Sequence, residues 1–139
     1  MQRLLVDSGF FFALFNARDR NHVDANEKQE WLEIFSVTIP WPILYETINT
    51  RHTRRPHWIA RLESIVRSPD TELIDDIPYR LDAFDDVIER GKTQRNAMSL
   101  TDAVLHSILA DPKIRVDAML TYNHRDFYAI CSSKGVELL

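Results

Sequence analysis

Three acidic residues stand where a carboxylate is costly. Asp7 closes the run Leu4-Leu5-Val6, Glu46 follows Ile43-Leu44-Tyr45, and Asp102 is set within Leu100-Thr101-Asp102-Ala103-Val104-Leu105. A charged group among apolar neighbours is expensive to desolvate unless something compensates it. No Lys or Arg follows Asp7 or Asp102 at helical spacing to do so. A divalent cation would, and a ligand set made of oxygens favours Mg²⁺ or Mn²⁺ over zinc. Each acid taken singly also has a purely structural role. Asp7 can cap a helix beginning at the next residues. Ser99-Leu-Thr-Asp102 matches a capping box, and Glu46 suits the first turns of a helix. Three such coincidences at strand ends weigh against that reading for all of them together.

The elements that would position these acids follow from periodicity. Leu4–Val6, Val37–Ile39, Leu73–Ile74, Ala118–Leu120 and Val136–Leu138 are short apolar runs that read as buried strands. Between them lie stretches of helical character. These are Phe10–Phe15, then Val23–Phe35 with Val23, Trp31, Leu32 and Phe35 on one face. Ile43 to about His52 follows, with Pro42 in its first turn, and then Pro56 to about Val66. Pro78–Arg90 carries Leu81, Phe84, Val87 and Ile88 as its stripe and is expected to stop at Gly91. Leu100–Ala110 is halted before Pro112. Strands separated by helices imply parallel pairing. The expectation is one α/β domain over residues 1–139, three-layered (α/β/α), with a mostly parallel sheet of four to five strands. Ligands of such sheets bind beyond the carboxyl ends of the strands. Asp7 follows the first strand, Glu46 lies in the helix after the second, and Asp102 opens the helix before the Ala118 strand. Thr121, Asn123 and Asp126 follow that strand, so the acids should share one rim.

Composition narrows the class. The 139 residues include one cysteine, Cys131, so no intramolecular disulfide can form. A hydrophobic fraction of 45% with 27% charged residues is that of a globular protein. The net charge of −4 argues against coating nucleic acid by bulk electrostatics. Phe10–Phe15 is far shorter than the roughly 20 apolar residues of a membrane span. With no signal peptide in view, a soluble cytoplasmic protein without a membrane role is expected.

Taken in order, Leu5-Val6-Asp7-Ser8-Gly9, Asp19-Arg-Asn-His22, Pro42-Ile-Leu-Tyr-Glu46-Thr, Ser99-Leu-Thr101-Asp102-Ala103 and Leu120-Thr121-Tyr-Asn123-His-Arg-Asp126-Phe127 resemble the PIN domain, and within it the VapC-type toxins of toxin–antitoxin pairs. The resemblance implies a metal-dependent ribonuclease that hydrolyses RNA phosphodiester bonds with Mg²⁺ or Mn²⁺. The family's acidic ligands fall on Asp7, Glu46 and Asp102, with Ser8 and Thr121 as supporting polar groups. Its fourth acidic position is Asn123 here, which puts a second metal in question; the Asn carbonyl or Asp126 would have to serve. An antitoxin partner and a homodimer are implied as well. A stand-alone PIN nuclease without an antitoxin is the variant of that reading. The rival of another class is a catalytically silent module that binds RNA or protein, and Asn123 is the feature that favours it.

Arg51, Arg54 and Arg55, beside the Glu46 helix, could hold an RNA backbone or merely form a solvated turn, and Arg61, Lys92 and Arg95 add weaker cationic positions. His52 and His57 lack the cysteine pair a zinc finger would need. Trp41, Tyr45 and Trp58 could stack bases but are expected in the core. His106 and Cys131 read as structural. A haloacid dehalogenase-type phosphatase would need a second Asp where Gly9 stands, and the acidic pair and late Lys of a response-regulator receiver are not convincingly present.

Overall fold

The computed structural model of the chain describes residues 1–95 and 97–139. Five strands form one all-parallel sheet: β1 (Arg3–Val6), β2 (Ser36–Pro40), β3 (Thr71–Ile74), β4 (Ala118–Leu120) and β5 (Glu137–Leu138), in the order β3-β2-β1-β4-β5. Helices cover the sheet to give a three-layer α/β/α, PIN-like architecture. Leu4, Leu5 and Val6 are fully buried, because β1 is central and covered on both faces. Leu5 pairs with Thr38 on one side and Met119 on the other, and Val6 with Leu120.

The topology fixes where a site can be. The chain builds outward from β1 to β2 and β3, then returns to place β4 against the opposite edge of β1. The strand order therefore reverses between β1 and β4, and the crevice beyond their carboxyl ends is where ligands of open α/β sheets bind. The backbone N–H of Asp7 donates to the Leu120 carbonyl at 3.0 Å, closing the two strands at that crevice.

The helices are α1 (Ser8–Phe15), α2 (His22–Lys28), α3 (Trp31–Ile34), α4 (Trp41–Thr47), α5 (Thr50–Thr53), α6 (Pro56–Val66), α7 (Arg80–Thr93), α8 (Leu100–Ala110) and α9 (His124–Lys134), with a 3₁₀ turn at Ile77–Tyr79. Several differ from the periodicity reading. Val23–Phe35 is two short helices, and Val23 is exposed, so the expected single apolar face does not exist. Ile43–His52 breaks where Asn49 leaves helical geometry and caps the next segment, its Oδ1 accepting from the His52 N–H. The helix α7 runs through Gly91, which keeps negative φ, and its stripe is turned outward: Leu81, Phe84 and Ile88 are exposed while Ala83 is buried. Trp41 and Tyr45 are likewise exposed rather than core residues, and Trp58 packs at the core margin. The helix α9 has no counterpart in the sequence reading. It buries Phe127 and Cys131 and ends at Gly135, whose φ of 67° only glycine adopts at no steric cost. No helix among the described residues is long and apolar enough to cross a membrane.

Candidate active site at the carboxyl edge of the sheet

Asp7 leaves the end of β1 in extended geometry and caps α1, its Oδ1 accepting from the Ser8 N–H at 2.7 Å. Its capping role is thus real. Its second oxygen goes elsewhere: Thr121, at the end of β4 and fully buried, donates its hydroxyl to Asp7 Oδ2 at 2.8 Å. Ser8 begins α1 and donates its hydroxyl to Glu46 Oε1 at 2.8 Å, reaching across to α4. Asp102 lies in the first turn of α8, where Ser99 Oγ accepts its N–H at 3.1 Å. Half of the expected capping box forms. The Asp102 carboxylate is held instead by Asn123, whose Nδ2 donates to Asp102 Oδ2 at 3.1 Å and to Asp126 Oδ2 at 2.9 Å. The Asn123 N–H donates to Thr121 Oγ1 at 3.0 Å, so one hydroxyl links Asp7 to the start of α9.

These residues meet. Asp7, Ser8, Glu46, Asp102 and Asn123 line one cavity of about 380 Å³, together with Gly9, Ser99 and Tyr122. Burial raises the Asp7 carboxyl above the usual range, against the hydrogen bonds from Thr121 and Ser8 that lower it. Asp102 is pushed up to about 6, first by burial and then by the negative charges of Asp7, Glu46 and Asp126. Like charges are therefore crowded here, and no Lys or Arg forms an ion pair with any of the four acids among the described residues. The acid after β3 makes the contrast. Asp76 is buried too, but Arg80 grips both its oxygens at 2.9 and 3.1 Å and holds its carboxyl below the usual range.

All-oxygen donors, crowded and uncompensated, are the chemistry that a divalent cation of the Mg²⁺ or Mn²⁺ kind requires. The donor set fits. It is not drawn into a ready cage: among the described residues no three His, Cys, Asp or Glu side chains are grouped closely enough to hold an ion. Ser8 and Asn123 engage one oxygen each of Glu46 and Asp102, and Asn123 one of Asp126. The Asn123 carbonyl, expected as a weak ligand, is not the atom facing the acids; its amide nitrogen is.

The basic stretch lies apart from this cavity. Arg51 and Arg55 lie over the Trp58 ring at 5.8 and 5.2 Å, and Arg51 lines a separate hollow of about 290 Å³ with Asp19, Asn49, His52 and Trp58. Arg54 is exposed. The link back is Asn49, whose Nδ2 donates to the Glu46 carbonyl at 3.1 Å. Arg61 is occupied with the Leu14 carbonyl and Gln29, and Lys92 with Glu89. Tyr122 was not among the candidate residues, although its place between Thr121 and Asn123 could have marked it. It lines the cavity while its hydroxyl donates to Asp24 Oδ2 at 2.8 Å, and Lys28 both pairs with Asp24 at 3.0 Å and lies over the Tyr122 ring. His106, read as structural, packs on Phe127 and bonds through Nε2 to the Asp126 carbonyl at 2.7 Å, steadying the first turn of α9.

No protein-family model matches the chain, and no curated protein matches its sequence. Solved structures do. Over 91% of this chain and 94% of its own, the crystal structure of Mycobacterium tuberculosis VapC20, a sarcin-ricin loop cleaving toxin, is similar with a TM-score of 0.68 at 19% identity. The fold is that of VapC20. At 19% identity the likeness is one of fold alone.

Proposed function

We propose that this chain is a metal-dependent endoribonuclease, hydrolysing RNA phosphodiester bonds with Mg²⁺ or Mn²⁺, and that it serves as the toxin of a toxin–antitoxin pair. The observation that carries this reading is the convergence of Asp7, Glu46 and Asp102, with no cationic partner among the described residues, on one cavity at the β1/β4 crevice. The VapC-like fold supports it.

Asp7, Glu46 and Asp102 would hold the ion, with Asp126 as a further acid at the margin. When bound, a divalent cation lowers the pKa of water to yield a nucleophile near neutral pH and offsets charge that develops at phosphorus. The chain's own task is orientation. Thr121 and the Ser8 N–H fix both Asp7 oxygens, so that carboxylate cannot swing away. Ser8 holds one Glu46 oxygen and leaves Oε2 without a hydrogen bond from the described residues. Arg51, Arg54 and Arg55 would draw the RNA backbone from the Trp58 side, supplying locally the positive charge that the chain lacks overall.

Partners follow from two surfaces. An antitoxin would cover the acidic rim, with an Arg as the natural counter-charge. A second copy would cover the stripe Ile77, Leu81, Phe84 and Ile88, which is exposed at spacings of four, three and four. Along α7, Asp82, Asp85 and Asp86 precede Arg90 and Lys92, which pair with Asp86 and Glu89 within the helix, so an antiparallel two-fold pairing would exchange those pairs for ones across the seam. Such a toxin would act in the cytoplasm. The unassembled cage favours one rival, a silent RNA- or protein-binding module on the same fold.

Purified protein incubated with ribosomal RNA containing a sarcin-ricin loop, with Mg²⁺, with Mn²⁺ and with chelator, separates the two. Cation-dependent cleavage that falls by at least about a hundredfold in Asp7→Asn and in Asp102→Asn is expected. Cleavage that persists undiminished in both variants, or under chelation, defeats the assignment; RNA binding without cleavage establishes the silent module.

A further inference from the structure

The hollow that Arg51 lines is a built site. His52 lines it too and is 2% exposed, yet its Nε2 has no hydrogen-bond partner among the described residues. A buried polar atom left unpaired is costly, which marks this ring as one side of an unfinished contact. Burial holds the His52 pKa below its usual range, against a backbone contact with Trp58, so the ring is neutral near pH 7. It stands edge-on to Phe15 and Trp58 at 5.3 and 5.8 Å, and the three make a stiff aromatic wall. Polar side chains along the same hollow have atoms to spare among the described residues. Asn16 spends Oδ1 on the Arg18 N–H and keeps its amide donors; Asp19 spends Oδ1 on the Asn21 N–H and keeps Oδ2. Arg51 lies over Trp58 and forms no ion pair there.

The hollow and the acidic cavity share one face of α1. Ser8 lines the cavity, while Phe12, Phe15 and Asn16 line the hollow at four, seven and eight residues further on. At about 1.5 Å per residue the two lie roughly 10 Å apart along the helix, which about three stacked nucleotides span at ~3.4 Å per step. Asn49 lines the hollow and donates to the Glu46 carbonyl. Tyr122 lines the cavity, and its phenol is raised by burial, then by Asp24, and last by the charge of Asp19 in the hollow. At about 290 Å³ the hollow stands at the small end of ligand sites, which begin near roughly 300 Å³, so it suits one flat ring system rather than a stretch of peptide.

We propose that this hollow takes one extruded guanine of the RNA strand, read by Arg51 and Asp19, so that the chain chooses where to cut by a base held beside the acids. The strand itself rests on the nuclease reading; the guanine goes beyond it. Among the four bases only guanine sets two adjacent acceptors, N7 and O6, next to two adjacent donors, N1–H and N2–H. The Arg51 guanidinium donates to the acceptor pair, the commonest specific contact of an arginine with a base. The Asp19 carboxylate accepts from the donor pair, and the ring packs against the aromatic wall. Adenine has a donor where O6 stands, and the pyrimidines lack N7. A phosphate is disfavoured in the hollow by the Asp19 charge and by a His52 ring that carries none. Arg54 and Arg55 remain for the backbone.

Titration of the full chain in chelator with the 5′-monophosphates of guanosine, inosine, adenosine, cytidine and uridine, at millimolar concentration and followed in ¹H–¹⁵N spectra, tests the site without cleavage. The Trp58 indole signal is identified by Trp58→Phe. The guanosine nucleotide should move that signal and the side-chain amides of Asn16 and Asn49. It should bind at least about fivefold tighter than each of the others, the low end of what one bidentate pair discriminates. Inosine lacks only the N2 amine that Asp19 would accept. The preference for guanosine over inosine should therefore vanish in Asp19→Asn, which keeps the Oδ1 acceptor for the Asn21 N–H. Arg51→Gln, at an exposed position, should weaken the guanosine nucleotide by about fivefold or more and keeps the test independent of the Asp19 loop. Nucleotides that bind alike, a guanosine preference that survives Asp19→Asn, or spectra in which Trp58 and Asn16 do not move overturn the guanine site and leave the nuclease reading to its own cleavage test. A guanosine preference at Trp58 in a chain that cleaves no RNA sustains the site and defeats the nuclease reading alone.

Discussion

Asp102 carries the electrostatic strain of the site. Its carboxyl titrates at about 6 in the folded chain against 3.8 ordinarily, because burial and three neighbouring acids penalise the charged form. The folded state therefore holds this proton more tightly than the unfolded chain does, and stability falls as pH rises from about 4 to about 6. Asp102→Asn should recover on the order of 1–2 kcal/mol at pH 7, after allowance for solvent screening, and little at pH 4. Buried His52, whose pKa is lowered, adds the opposite trend between pH 5 and pH 7 in both proteins, so the difference between them isolates Asp102. Thermal melts of the two proteins across this range in chelator test the statement; a variant-to-wild-type difference that does not change with pH contradicts it. Proton and cation compete for the same group, so Mn²⁺ affinity should climb through pH 6 and level off above it. Thr121 belongs to the same balance. Thr121→Val keeps the shape but removes the donor to Asp7 and the acceptor for the Asn123 N–H, both within the closed crevice. A loss of about 1–3 kcal/mol is expected in chemical denaturation. The residues that make this site were legible because acids bounded by apolar runs are chemically conspicuous. Which amide atom of Asn123 faces them was not, since that depends on the donors and acceptors brought by α8 and α9.

At the level of elements, hydrophobic patterning locates structure where apolar runs are short and continuous and misplaces it where a helix is only partly covered. The strands Leu4–Val6 and Ala118–Leu120 lie within observed strands because both faces of a central parallel strand are buried. The helix α7 shows the opposite case. Its expected stripe of Leu81, Phe84, Val87 and Ile88 is split, because periodicity does not say which face is covered: Val87 packs inward with Ala83 while Leu81, Phe84 and Ile88 are exposed. The helix α9 was missed because its apolar residues Phe127, Ile130 and Cys131 are interleaved with Tyr128, Ser132 and Ser133. The exposed stripe gives a test of its own. Leu81→Glu with Phe84→Glu should convert a dimer to a monomer in sedimentation velocity. Asp82→Lys with Asp85→Lys should weaken it, and added Arg90→Glu with Lys92→Glu should restore it. A wild-type chain that sediments as a monomer, or a dimer indifferent to the Glu pair, removes α7 as that interface.

For the molecule as a whole, one bond sets the order of events. The Thr121 hydroxyl and the Asp7 carboxylate are 114 positions apart in sequence. Strand β1 is synthesised first yet lacks its second neighbour until β4 has been made, and the acid at its tip stays unheld until then. A chain emerging from the ribosome consequently lacks the β1/β4 crevice, and with it the candidate site, until β4 is made. Under the proposed nuclease reading, a fragment that ends before residue 118 lacks both β4 and Thr121 and should cleave no RNA.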